Sequence, residues 1–126
     1  MHVNVTAAFA LTQVLLPSLR ASADASVLFT ASGVGRKGRA YWGAYAVSKF
    51  GTEGLAQVLA HELEGNPRLR VNLVNPGAVR TNMRALAYPA EDAARLKTAE
   101  QVVPPYLWLL GPDSAGISGV RVDCQD

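Results

Sequence analysis

Two short apolar runs flank a long stretch of helical periodicity, and that alternation limits what the chain can become. Residues 26–31 (SVLFTA) form a short apolar run after a polar turn. A strand of that kind is covered on both faces, the usual setting of a parallel sheet. Residues 69–74 (LRVNLV) read as the next strand, closed by Asn75-Pro76-Gly77. Between them, residues 44–64 place Val47, Phe50, Gly51, Leu55, Val58, Leu59 and Leu63 on one helical stripe. Gly65-Asn66-Pro67 stops that helix. A helix joining two strands in this way favours a parallel α/β arrangement over a hairpin.

The flanking segments extend the pattern. Residues 3–21 carry Phe9, Val14, Leu15, Leu16 and Leu19, which predicts a first helix whose broad apolar surface is deeply covered. Pro17 is expected to bend or end it. Residues 82–97 are polar and irregular, with room for one short helix. Thr98 and Gln101 are spaced as a capping box. They open a helix reaching Leu110, with Pro104 and Pro105 predicting a kink or a late start. Residues 119–123 form a last strand. The expected product is an α/β fold with a parallel sheet of about three strands and flanking helices.

Composition removes several classes of function. At 126 residues the chain fits one domain, residues 1–126. Its 49% hydrophobic and 17% charged content reads as globular rather than disordered. A net charge of +2 is too balanced to argue for a nucleic-acid partner. Residues 7–19 (AAFALTQVLLPSL), followed by Ala21-Ser22-Ala23, mimic a signal peptide, but no basic residue precedes them other than His2. No stretch is expected to approach the ~20 apolar residues of a membrane span, so no membrane association is expected. Cys124 is the single cysteine and has no basic partner assignable from sequence. A reducing compartment is permitted, and a cytoplasmic location is expected. No metal site is expected.

One motif is misleading. Residues 33–38 (GVGRKG) spell G-x-G-x-x-G after a predicted strand, the pattern that lets backbone approach a pyrophosphate. The helix does not open at the third glycine, however. No acidic residue follows about 20 positions on at the end of a second strand, since Glu53 lies within the helix. A loop beside an active site accounts for these glycines better than a phosphate cradle.

The chemistry-bearing group is different. Tyr45 and Lys49 are four apart on the second helix, which stacks them on one face. Ser32 ends the first strand, where parallel sheets place their sites. A loop from 32 to 43 can bring its hydroxyl to that of Tyr45. Taken alone, Ser32 is an ordinary turn residue, Asn4 a cap or core hydrogen-bonder, Thr81 a helix N-cap, and Asn75-Pro76-Gly77 a turn. Tyr41, Trp42, Met83 and Tyr88 suit either packing or the lining of a substrate pocket.

Ser32, Tyr45 thirteen residues on and then Lys49 resemble the Ser–Tyr–Lys pattern of short-chain dehydrogenases/reductases. The surrounding text is similar too: Val27 to Ser32, Tyr45-Ala46-Val47-Ser48-Lys49, Arg70-Val71-Asn72, and Asn75-Pro76-Gly77-Ala78-Val79-Arg80-Thr81. Asn4 sits where that family carries a fourth catalytic residue, and Ser118 to Asp123 look like its last strand. The resemblance covers essentially the whole chain and corresponds to the C-terminal, catalytic half of such an enzyme. It implies a partial Rossmann-like sheet and hydride transfer between a nicotinamide and a carbonyl or alcohol substrate.

The same resemblance implies roles for individual residues. Tyr45 would be the acid/base and Ser32 would hydrogen-bond the carbonyl oxygen. Lys49 would hold the nicotinamide ribose and favour the phenolate form of its neighbour. Asn4 would order water leading to Lys49. Tyr45, Lys49, Pro76, Gly77, Val79 and Thr81 would meet the nicotinamide end of NAD or NADP. The pyrophosphate-binding turn would belong to an N-terminal half absent from these residues, so weak cofactor binding by this chain is expected. The helices at 3–21 and 44–64 would pair between subunits, giving a homo-oligomer. Two other readings remain beside this one. One is a non-catalytic truncated remnant retaining fold and oligomer interface. The other is a binding module using residues 33–38 as an anion loop.

Overall fold

The computed structural model describes residues 1–125. A π-helical turn, His2–Thr6, leads into helix α1, Ala7–Ala21. Strand β1 is Ala25–Thr30, helix α2 is Gly43–Glu62 and strand β2 is Leu69–Asn75. Three short helices follow: α3 (Asn82–Ala87), α4 (Ala99–Val102) and α5 (Pro104–Leu110). Strand β3, Arg121–Asp123, completes the fold. The sheet order is β1-β2-β3 and both pairings are parallel. Ala25 faces Leu69 at one end of the first ladder and Thr30 faces Val74 at the other. The expected partial parallel sheet with flanking helices is therefore the observed architecture.

The period-two alternation of the strands sorts their residues between two coverings. Ala25, Phe29, Ala31, Leu69, Val71 and Leu73 join Ala56, Leu59 and Leu63 of the α2 region in one apolar core. The alternate positions are more polar and face α5. Ser26 donates to the Leu109 carbonyl at 2.7 Å, and Thr30 meets the Tyr106 hydroxyl at 3.2 Å. Arg70, almost wholly buried, pairs with Asp24 and donates to the Gly111 carbonyl at 3.1 Å. Asn72 donates to the Ile117 carbonyl at 2.8 Å and accepts from the Val120 N–H at 3.1 Å. This second face explains how a buried strand can carry an arginine and an asparagine: each has backbone or acidic partners waiting.

The predicted capping box is present at Thr98 and Gln101. The two prolines divide the predicted helix: α4 ends at Val102 and α5 starts at Pro104. A proline at a helix start removes an N–H that would have no intrahelical partner there. Pro17 behaves otherwise. Helix α1 runs past it to Ala21 before Ser22 turns extended.

The expectation that the first helix is deeply covered is corrected. No residue of α1 is buried, and Phe9, Leu11, Val14 and Leu15 face solvent. Only Ala8, Leu16 and Leu19 reach the core cluster, because α2 already occupies that face of the sheet. A second correction concerns length. His2–Ala21 forms a helical segment of 20 residues, long and apolar enough by length and composition to cross a membrane. Its start is nonetheless tied to α2, since Asn4 donates to Ser48 and its carbonyl accepts from Thr52.

Leu109 is completely buried at the β1–α5 contact. Leu109→Ala is expected to destabilise the chain by about 3 kcal/mol, from lost transfer energy and the cavity left behind. Urea unfolding monitored by circular dichroism measures it, and a loss below about 1 kcal/mol would show that this contact contributes little.

Candidate active site

The C-terminal ends of β1 and β2 open into a cleft of about 1090 Å³. Asn4, Ser32, Tyr45, Lys49, Pro76, Gly77, Val79 and Thr81 all line it. Residues from four separate segments thus meet at the end of the sheet where parallel α/β folds expose their loops. Trp42, Met83 and Tyr88 line it as well, whereas Tyr41 does not; that side chain is fully exposed. A second hollow of about 500 Å³ lies at the opposite end of β2, beside Leu69, Arg70 and His61. It gathers none of the candidate catalytic or cofactor-binding residues.

Tyr45 and Lys49 sit on the first turns of α2, which opens after Trp42. The Lys49 ammonium lies 5.8 Å from the centre of the Tyr45 ring and donates to the Thr30 carbonyl at 3.0 Å. That bond ties the helix to the end of β1. Burial pulls the Lys49 ammonium below the ordinary lysine range. Ser32 follows β1 in extended backbone, and its hydroxyl makes no hydrogen bond to any described residue. Its carbonyl accepts from the Gly35 N–H at 3.0 Å and from Arg121 at 3.2 Å.

Asn4 reaches the site by a route the sequence did not reveal. Its Nδ2 donates to Ser48 Oγ at 2.9 Å, and Ser48 donates to the Tyr45 carbonyl at 2.7 Å. Ser48 is almost wholly buried. Its position three after Tyr45 and one before Lys49 turns it inward while those two face the cleft, a helical-wheel signal available in the sequence.

The glycine-rich loop does not form a phosphate cradle on a helix N-terminus. Gly33–Gly35 is a single 3-10 turn, and α2 starts only at Gly43. A Cβ on Gly35 would sit 3.0 Å from the Lys49 carbonyl oxygen. That glycine is there so the loop can pack against the helix bearing Lys49.

The loop after β2 is held on both sides. Gly77 adopts φ +75°, and its N–H donates to Asn75 Oδ1 at 3.2 Å. Gln125 Nε2 donates to the Pro76 and Ala78 carbonyls, both at 2.8 Å. Any Cβ on Gly77 would meet that amide at 3.0 Å. Asn75 also donates to Asp123 at 2.9 Å. Thr81 caps α3 by accepting from the Arg84 N–H at 3.2 Å, so it is a helix cap and a cleft residue at once. The other end of β3 carries a buried ion pair: Arg121 contacts Glu53 at 2.7 Å while it holds the Ser32 carbonyl. Glu53, Arg121 and Gln125 had no motif to announce them. Cys124 is partly buried, and burial together with Asp123 pushes its thiol up, away from thiolate.

Comparison with known proteins gives the family. Residues 1–92 match the model of the short chain dehydrogenase family. The uncharacterized oxidoreductase YciK of Escherichia coli K12 is 57% identical over 125 residues, covering 99% of this chain and 49% of YciK. The chain belongs to the short-chain dehydrogenase family. Among solved members, a short chain dehydrogenase of Salmonella enterica serovar Typhi superposes with a TM-score of 0.95 at 56% identity. The match covers 98% of this chain and 51% of that one. A short chain dehydrogenase of Shigella flexneri 2a, complexed with NADP, gives 0.92 at 57% identity, covering 98% of this chain and 51% of its own. The chain thus spans about half the length of the short-chain dehydrogenases it matches.

The Lys49 environment has a measurable sign. A depressed folded pKa means the cost of burying the charge is complete at neutral pH. It is relieved as pH rises through the folded pKa, so this group's contribution to stability improves up to the ordinary lysine value, about 10.4. Carbon-13 NMR of the reductively methylated protein, with Lys49→Arg for assignment, should place its midpoint below that value. A midpoint at or above it would contradict desolvation at this site.

Proposed function

We propose that this chain is the catalytic half of an NAD(P)-dependent oxidoreductase that interconverts a carbonyl and an alcohol. The observation that carries the reading is the lining of one cleft by Ser32, Tyr45 and Lys49, with Lys49 partly desolvated and fixed to Thr30. The donors there fit the nicotinamide end of a dinucleotide: a lysine ammonium, a phenol, and the backbone of the Pro76–Thr81 segment. A related protein complexed with NADP supports the same cofactor class. When bound, the nicotinamide supplies or accepts the hydride.

The protein's own residues handle the proton and the charge. During carbonyl reduction the Tyr45 hydroxyl delivers a proton to the oxygen that gains negative charge. The free Ser32 hydroxyl donates a hydrogen bond to that same oxygen. Lys49 keeps a positive charge beside the phenol and favours its deprotonated form as the proton leaves. Asn4, through Ser48, fixes the turn of α2 on which Tyr45 stands. In alcohol oxidation the Tyr45 oxygen takes the proton back.

The exposed faces of the first two helices support a homo-oligomer. Phe9, Val14, Val47, Phe50 and Val58 leave apolar surface in water that a second copy would cover.

Mixed with the separately expressed N-terminal portion of YciK, the chain should show carbonyl-dependent oxidation of NADPH across a panel of aldehydes and ketones. Tyr45→Phe should lower that turnover by about 100-fold or more and leave the NADPH affinity within about twofold. Full turnover in Tyr45→Phe would remove the proton-donor role. The unmixed chain should bind NADH and NADPH weakly by calorimetry, because these residues offer contacts chiefly to the nicotinamide end. On assembly, light scattering at micromolar concentration should give at least a dimer mass, and a clean monomer would remove the oligomer proposal.

A further inference from the structure

Resting on the reading of this cleft as a carbonyl-reducing site, we infer that its substrate carries a negatively charged group on a planar apolar body. The cleft lining contains Lys37, Arg39, Lys49 and Arg84 and no aspartate or glutamate. In a chain with 12 basic and 10 acidic residues, such a one-signed lining is a local property of the cleft. Lys49 is committed to Thr30 and Tyr45. Arg84 is neutralised by a two-point contact with Glu91, at 2.9 and 2.8 Å. Lys37 and Arg39 remain without an acidic partner among the described residues.

The wall carrying Arg39 is aromatic, and Lys37 lines the same cleft. The Trp42 ring lies 5.6 Å from that of Tyr45, edge-on, and 6.0 Å from that of Tyr88. Arg39 sits 5.9 Å from the Trp42 ring centre and donates to the Tyr88 hydroxyl at 3.2 Å. Arg84 stacks on the Tyr88 ring at 3.8 Å. The series runs without a break from the proposed proton donor, Tyr45, through Trp42, to an unneutralised guanidinium. A carbonyl placed at Tyr45 would lay a flat apolar body along Trp42 and Tyr88. A carboxylate or phosphate at its far end would meet Arg39 and Lys37. Arginine suits such a group because its planar fork can donate two hydrogen bonds to one oxyanion. At these exposed positions the charge would attract and orient the substrate, and added salt would screen it.

The phosphates of the cofactor are the other possible source of negative charge at these cations, and equilibrium binding separates the two. The chain is titrated with 4-carboxybenzaldehyde and with its uncharged isostere 4-carbamoylbenzaldehyde, without cofactor, following the Trp42 indole resonance by NMR. The acid should bind about fivefold more tightly than the amide at low ionic strength, and the difference should shrink in about 0.5 M salt. The double variant Lys37→Gln/Arg39→Gln alters two exposed side chains. It should equalise the two aldehydes while its remaining amide spectrum stays unchanged. Equal binding by the parent chain, no saturable binding of either aldehyde, or a preference that survives the double variant would overturn the inference. So would a double variant that loses NADPH affinity but keeps the acid preference, since the cations would then serve the cofactor. These results are independent of proton transfer. If Tyr45→Phe retained turnover in the mixed enzyme, the catalytic reading would fail while a charge preference measured at equilibrium would remain.

Discussion

Six consecutive residues of β2, Leu69 to Val74, are buried, and the strand is hydrogen-bonded to a parallel neighbour on each edge. Everything that reaches the cleft is referenced to this strand. On one face it supplies Leu69, Val71 and Leu73 to the core beneath α2, which sets the height of the helix carrying Tyr45 and Lys49. On the other, Arg70 and Asn72 bind carbonyls and an N–H of residues 109–120, which sets the path by which the chain returns to form β3. A parallel ladder has no local turn to fix its register. Here the register is fixed by burial on both faces, since a slip of one residue would drive Arg70 and Asn72 into the apolar core.

The cleft inherits its precision from those ends. Ser32 and Pro76–Thr81 are loop residues, and loops are ordinarily the mobile part of a fold. Each is secured here by side chains on or just beyond the regular elements: Lys49 on the Thr30 carbonyl, Arg121 on the Ser32 carbonyl, and Gln125, two residues after β3, on the Pro76 and Ala78 carbonyls. Lys49 serves both structure and chemistry, whereas the Ser32 hydroxyl is spared structural duty. Among the described residues that hydroxyl has no hydrogen-bond partner, and the positive charge of Arg39 faces the cleft without an acidic one.

Elements with strong periodicity or local caps were legible in the sequence. The α2 helix, the 98–101 capping box and the proline start of α5 each depend on neighbours within a few positions, and each appears where the spacing puts it; the α2 stripe itself divides, with Leu55, Leu59 and Leu63 at the core and Val47, Phe50 and Val58 exposed. The catalytic candidates were legible because Ser32, Tyr45 and Lys49 are near in sequence and carry family-like text. What was hidden is long-range. Glu53 looks like a solvent-facing helix residue until Arg121 is seen against it. Gln125 has no pattern at all. The α1 surface was misjudged because its amphipathicity says which side is apolar but not whether the rest of the chain has material to cover it. The G-x-G-x-x-G text is, as expected, a loop beside the cleft: glycine can mark close backbone approach, and at Gly35 the approaching backbone is that of Lys49 rather than a ligand.

The brace formed by β3 and its following residues has a consequence for the order of folding. Arg121 and Ser32 are 89 positions apart, and Gln125 and Pro76 are 49 apart. Contacts of such separation carry a loop-closure cost that local helices do not, and they tend to form after the elements they join. The core between α2 and the β1–β2 pair can therefore assemble while both cleft loops are still loose. Docking of one short strand then secures them together. The reverse also holds: detaching residues 121–125, a small opening compared with global unfolding, would release the Ser32 and Pro76–Thr81 walls in a single step. Competence of the cleft and survival of the fold are thus separable quantities in this protein, joined in large part through three residues of edge strand and the glutamine just beyond them.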